Sequence, residues 1–217
     1  MRTIETDVLV IGAGMAGLTA ATRALDRGRS VVVVEKAETV GGSARYAGYA
    51  WTAPTRAVMD EVNPHGDPAL RHALVDGFAA AVAWIRALGV HCGDPVAILR
   101  YGIGHQFDTN QYIDECRRRI TAVAELFTGT DTVELLTRDT TVAGARVRLP
   151  DGAEIEIHST AVVLATGGFQ ADGALTAEYI HPQAPQMQLR SNPASAGDGL
   201  RLAERAGAAT GTPNSGF

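Results

Sequence analysis

The run V8-L9-V10-I11-G12-A13-G14-M15-A16-G17-L18-T19-A20-A21, followed by T22-R23-A24-L25-D26-R27-G28-R29-S30 and V31-V32-V33-V34-E35, decides the fold. Val8 to Ile11 is an unbroken apolar stretch, as expected of a parallel strand buried on both faces. Gly12, Gly14 and Gly17 supply a G-x-G-x-x-G turn into a helix: the first for the tight turn, the second for close approach of the backbone to a pyrophosphate, the third for helix–strand packing. Met15 to Leu25 is small and apolar, and Gly28 stands where that helix should stop. Val31 to Val34 read as a second buried strand. Glu35 ends it, 21 positions after Gly14, close to the ~20-residue spacing at which an acid meets a ribose hydroxyl. The whole unit predicts a dinucleotide site.

Composition narrows the function classes. A net charge of −5 offers no basic excess to neutralise phosphates, so a nucleic-acid surface is not expected. Arg117, Arg118 and Arg119 read as the solvated face of a helix. No apolar run approaches the ~18 residues of a membrane span, and the first strand begins too early to leave room for a signal peptide. Cys92 and Cys116 lack C-x-x-C or zinc spacing and are expected to be reduced. The predicted compartment is the cytosol.

Beyond Glu35, Gly41, Gly42 and Gly48 predict a close-approach segment that is neither helix nor strand, and Pro54, Pro64 and Pro68 an irregular stretch. Asp67-Pro68 reads as a cap and first helical position, with Leu70, Leu74, Phe78, Val82, Ile85 and Leu88 on one face and Gly89 as the stop. Residues 101–106 are expected to be a mobile loop. Thr109 is the expected cap of a second helix, with Tyr112, Ile113, Cys116, Ile120, Val123 and Phe127 on one face. Strands are expected at 133–137 and 141–149, then at Ile155 and Ile157 alternating with polar residues, His158 facing solvent. A separate buried strand is expected at 161–165, leading to Thr166-Gly167-Gly168. The remainder is expected to be loop as far as Gly197-Asp198-Gly199, which opens a last helix.

V-I-G-A-G-M-A-G-L-T-A-A with V-V-V-V-E-K, V-G-G-S-A-R-Y-A-G, V-V-L-A-T-G-G-F and A-G-D-G-L-R-L-A-E-R-A-G-A occur in that order over residues 6–209. Together they resemble the fumarate reductase and succinate dehydrogenase flavoprotein family of FAD-dependent oxidoreductases, with G-G-S-A-R-Y-A-G-Y-A-W-T-A-P leaning toward its 3-ketosteroid and tricarballylate dehydrogenase-like branch. The resemblance implies an α/β, Rossmann-like FAD-binding fold with a parallel central sheet, a small antiparallel β-meander and a helical insertion over about 51–130. Residues 1–217 are then one incomplete FAD-binding domain, without the substrate cap domain and C-terminal flavin segment of the family. The cofactor contacts it implies begin with Gly12, Gly14, Gly17 and the amides of Met15 and Ala16 at the pyrophosphate, and with Glu35 on the ribose. Lys36, the only lysine, stands near the nucleotide or in solvent. Gly42, Ser43, Ala44 and Gly48 follow along the cofactor toward the flavin, Thr141 and Val142 meet adenine, and Thr166 and Gly167 form the second nucleotide-facing turn. Asp198 is either the acid near the cofactor or a plain helix cap.

Tyr49 departs from the family's usual second glycine. No histidine stands in the 41–48 loop, where some members attach FAD, so non-covalent FAD is expected. The implied reaction moves a hydride between flavin N5 and a carbon next to a carbonyl or carboxylate. The substrate class is a small carboxylate or ketone, steroids included, with a separate C-terminal half as a candidate partner. No residue has a motif that marks it as catalytic. Tyr101, Tyr112, His105 and Arg190 are the polar candidates near the ring, His105 being expected in water. His65, His72, His91, His158 and His181 lack metal-ligand spacing. A non-catalytic FAD-binding fragment and an NAD-dependent dehydrogenase stay open as alternatives.

Overall fold

The computed structural model describes residues 2–210; the tail 211–217, expected to hold no helix or strand, lies outside them. In chain order, β1 (Arg2–Ile11), α1 (Met15–Leu25) and β2 (Val31–Val34) precede β3 (Tyr49–Thr52), α2 (Arg56–Val62), α3 (Pro68–Ala87), β4 (Cys92–Ile98), β5 (Gly102–Phe107) and α4 (Thr109–Thr121). β6 (Glu125–Phe127), β7 (Asp131–Arg138), β8 (Thr141–Arg148), β9 (Glu154–Leu164), α5 (Gly173–Tyr179) and α6 (Asp198–Arg205) complete the chain. Two compact units result, one of residues 2–45 and 116–210, the other of residues 46–115. The fold is mixed α/β, as the motifs imply.

The first unit holds a six-stranded sheet of order β6-β2-β1-β9-β8-β7. β2, β1, β9 and β6 run parallel, and β7 and β8 add the antiparallel end. β7 is an edge strand four places from β2, yet Thr130, just before it, donates from its amide to the Glu35 carbonyl at 3.0 Å. The sheet must therefore curl over its own face. What fills the curl is one apolar cluster drawn from both ends: Leu9, Ile11, Val32 and Val34 against Ala145, Val147, Ile155 and Ile157. On the other face α1 covers β1 and β2 with the buried residues Leu18 and Ala21. This double cover is why Val8–Ile11 and Val31–Val34 read as continuous apolar runs.

Several expectations need correction. β9 is one strand, not two, because β1 extends back to Arg2 and pairs along it from Ile155 to Leu164. Its 161–164 end is not fully buried: Ala161 and Leu164 are exposed. Phe127 is not on a helix face. It lies in β6 beside Val34, and Val123, past the end of α4, is exposed. Asp108, not Thr109, caps α4, its carboxylate accepting from the amides of Asn110 and Gln111. α5 forms inside the expected loop, capped by Asp172.

In the second unit the helices are joined by a three-stranded antiparallel sheet, β3-β5-β4. The expected loop at 101–106 is largely β5. Its glycines hid it: Gly102 and Gly104 have no side chains to show alternation, and the Trp51 ring and β-carbon fill that space instead. The expected irregular stretch contains α2, capped by the Thr55 hydroxyl. α3 follows the Asp67 cap as expected. Its apolar stripe is only half used, with Val82, Ile85 and Leu88 buried and Leu70 and Leu74 exposed.

Candidate functional site

At the carboxyl end of β1 the chain turns at Gly12, whose φ of +98° suits glycine alone. A β-carbon there would stand 2.4 Å from the Ala165 carbonyl oxygen. Glycine thus lets β1 and β9 end side by side, the Ala165 amide donating to the Ile11 carbonyl at 2.7 Å. Gly17 serves a different need: a β-carbon on it would lie 1.8 Å from the Gly12 oxygen. Gly14 precedes α1 without a side-chain cap, and the first turn of α1 carries no acid. The amides of that turn, those of Met15 and Ala16 included, therefore face outward with the positive end of the helix dipole. Such a terminus suits a phosphate.

Glu35 is 9% exposed. Its Oε2 accepts from the Ala13 amide at 2.6 Å and its Oε1 from the Ala37 amide at 2.9 Å. The glycine turn and the end of β2 are thus tied through one carboxylate. Each oxygen has a further lone pair, so a hydroxyl in the groove can still be accepted. Lys36 is not solvated alone: its Nζ bonds Asp198 Oδ2 at 2.9 Å. Asp198 is the first residue of α6, whose cap position is Gly197, so its carboxylate is an ion-pair partner and not a side-chain cap. Gly41 donates to the Ala13 carbonyl at 2.8 Å and brings Gly42, Ser43 and Ala44 alongside Gly14.

A continuous groove of about 670 Å³ runs through this region, within the range of ligand sites. It is lined by the expected Gly12, Gly14, Met15, Ala16, Glu35, Lys36, Gly42, Ser43, Ala44, Thr166, Gly167 and Asp198. Gly17 sits behind it in the helix–strand contact. Gly48 belongs to the other unit, where its carbonyl accepts from the Phe107 amide. Thr141 and Val142, the expected adenine contacts, do not line this groove. They begin β8 at the hairpin end, opposite Arg138 and Thr137, whereas Asp131 pairs with Arg148 at the end that reaches the groove. Eight residues of strand put those ends roughly 20 Å or more apart. Thr130 to Val133 and Arg148 line the groove instead, together with Asn192, Ala194 and Ser195. The S-N-P-A-S run before Gly197-Asp198-Gly199 was the available signal for the last three.

Of the polar candidates beyond the groove, Tyr112, His105 and Tyr101 have structural partners. Tyr112 is 1% exposed and packs edge-on against Trp84 and Phe107. His105 is not in water: its Nδ1 meets the Gly93 carbonyl at 2.8 Å and its ring lies 5.9 Å from Phe78. Tyr101 stands 6.3 Å from Trp51. Arg190 is exposed. His158 is half-buried and pairs with Glu156 at 3.2 Å. Among the described residues no group of three His, Cys, Asp or Glu is placed to hold a metal ion, and no helix is long and apolar enough to cross a membrane.

An uncapped helix terminus, a glycine floor and a buried acid at the end of the second strand define a dinucleotide-binding α/β domain. The dinucleotide is FAD: the chain belongs to the FAD-binding domain family, whose profile matches residues 7–215, a family of flavoprotein oxidoreductases. The chain is 30% identical over 233 residues to a cytochrome-type fumarate reductase of Shewanella frigidimarina, covering 94% of this chain and 40% of that protein. Over 96% of its length it superposes on an open-form flavocytochrome c3 fumarate reductase, with a TM-score of 0.86 and 25% identity, covering 41% of that chain. A 3-ketosteroid dehydrogenase of Rhodococcus jostii RHA1 shares the fold at 19% identity, with a TM-score of 0.84, over 96% of this chain and 55% of that one. The chain thus spans about half of these proteins or less.

Proposed function

We propose that this protein is the flavin-binding part of a dehydrogenase or reductase that moves a hydride between flavin N5 and a carbon next to a carbonyl or carboxylate of a small molecule, a steroid ketone being within that class. The bound FAD supplies the hydride chemistry. The chain's own residues bind and orient it. In this reading the first-turn amides of α1 take the diphosphate, and Glu35 takes an adenosine ribose hydroxyl on lone pairs left free by Ala13 and Ala37. Ser43, Ala44, Thr166 and Gly167 lie along the path toward the flavin. The observation that carries the reading is the single groove joining Glu35, Gly14, Ser43 and Thr166.

FAD is held without a covalent bond, in keeping with the absence of histidine between Gly41 and Gly48. Groups that handle substrate come from outside this FAD-binding part, in the same or a separate chain. The much greater length of the relatives supports this. We also place the protein in the cytosol. Neither Cys92 nor Cys116 forms a disulfide, which suits a reducing compartment.

An absorbance spectrum of the purified protein tests the reading. A flavin spectrum that bleaches with a reduced substrate, and a flavin released by acid denaturation, are the expected results. Colourless protein that binds NADH and not FAD would overturn it.

A further inference from the structure

Asn192 sits between Ser191 and Pro193 and lines the groove. Its side-chain Oδ1 accepts a hydrogen bond from the Ala194 amide at 3.0 Å, a local Asx turn that fixes the orientation of the side-chain amide. With the oxygen held by its own loop, Nδ2 is presented toward Gly42. A β-carbon at Gly42 would stand 3.6 Å from Asn192 Nδ2 and 3.4 Å from Gly14 Cα. Gly14 immediately precedes the uncapped first turn of α1. A side-chain amide donor, a floor of two glycines and the start of a helix therefore converge on one point of the groove. Asparagine differs from aspartate at this position in one respect that matters: it keeps the turn acceptor while offering a donor to the groove.

We propose that Asn192 Nδ2 donates a hydrogen bond to the diphosphate of the bound dinucleotide, completing with the α1 amides a donor set that no acidic side chain of that turn opposes. The inference rests on the dinucleotide reading above and assigns it a further binding residue. Its test uses two ligands, ADP, which carries the diphosphate without the flavin, and FAD. Calorimetry reads the first and flavin fluorescence the second, on wild type, Asn192→Ala and Asn192→Asp.

Loss of a donor to a charged oxygen weakens binding about tenfold or more, so Asn192→Ala should bind both ligands about that much more weakly. Asn192→Asp should be at least as weak, since it preserves the turn yet sets a negative oxygen beside the phosphates. Wild-type affinity in Asn192→Asp, with loss only in Asn192→Ala, would reduce Asn192 to a turn residue and overturn the inference. If either variant fails to fold, Asn192→Ser takes its place, because its hydroxyl keeps a turn acceptor but is shorter. Loss of about tenfold supports the donor role, and unchanged affinity overturns it. Wild-type protein that binds neither ligand would instead overturn the dinucleotide reading itself.

Discussion

Glu35 is the residue on which most of the site converges. It accepts from two backbone amides, those of Ala13 and Ala37, and it does so while 9% exposed. Removing the carboxylate leaves the Ala13 amide without its partner, which typically costs about 1–3 kcal/mol. Glu35→Ala is therefore expected to lower the melting temperature and to weaken FAD binding on the order of tenfold, read by thermal denaturation and flavin titration. Glu35→Gln keeps one acceptor and should fall between. Unchanged stability in both would show that the two amides find other partners. Gly12 is a harsher test. Gly12→Ala puts a β-carbon on the Ala165 carbonyl in a backbone conformation that L residues rarely adopt. The expected result is loss of FAD binding with a large drop in melting temperature.

Among the elements, β8 and the first part of β9 matter because their apolar residues share one buried cluster with those of β1 and β2. Ile157 is fully buried in that contact, so Ile157→Ala should destabilise the protein by about 2–5 kcal/mol, measured by denaturant unfolding. It should also lower FAD affinity, because the same curl brings Arg148 of β8 to the groove that Glu35 lines. α5 supplies a pH-dependent contribution. The Leu175 amide, followed by Arg201, holds the Asp172 carboxyl below its ordinary value. A depressed carboxylate stabilises the fold above its unfolded pKa, near 3.8, and that contribution is lost as pH falls through the lower folded value. Melting temperature should accordingly drop below about pH 4, and Asp172→Asn should flatten that part of the profile. Equal slopes in wild type and variant would remove Asp172 from the cause. In the second unit Asp67 accepts from the Ala69 amide at 2.7 Å, and losing such a cap costs about 1 kcal/mol.

At the scale of the molecule, the groove lies wholly within the unit of residues 2–45 and 116–210. A ligand that binds only the folded form adds about 2.7 kcal/mol of stability at a hundred times its Kd. FAD should therefore raise the melting temperature. In hydrogen exchange it should protect amides near Ala13, Glu35, Thr130 and Thr166 ahead of those in residues 46–115. Equal protection throughout, or none, would argue against binding in this groove.

The sequence by itself determined the βαβ unit, its glycine turn, its terminal acid and the later A-T-G-G and G-D-G segments, because each is a matter of local spacing and side-chain size. It also determined that Asp67 would cap a helix, for the same local reason. Tertiary structure alone decided which part of the β-meander reaches the groove. Both ends of β8 look alike as sequence, and only the curl of the sheet, driven by burial of Leu9, Ile11, Ala145 and Ile157 against one another, brings Arg148 to the groove that Glu35 lines and leaves Thr141 and Val142 at the far end. It likewise decided that Asn192 would face Gly42 across a chain separation that no periodicity records, and that Lys36 would pair with Asp198. Contacts made by folding a sheet onto itself depend on which apolar faces meet, and neighbouring residues carry no trace of that.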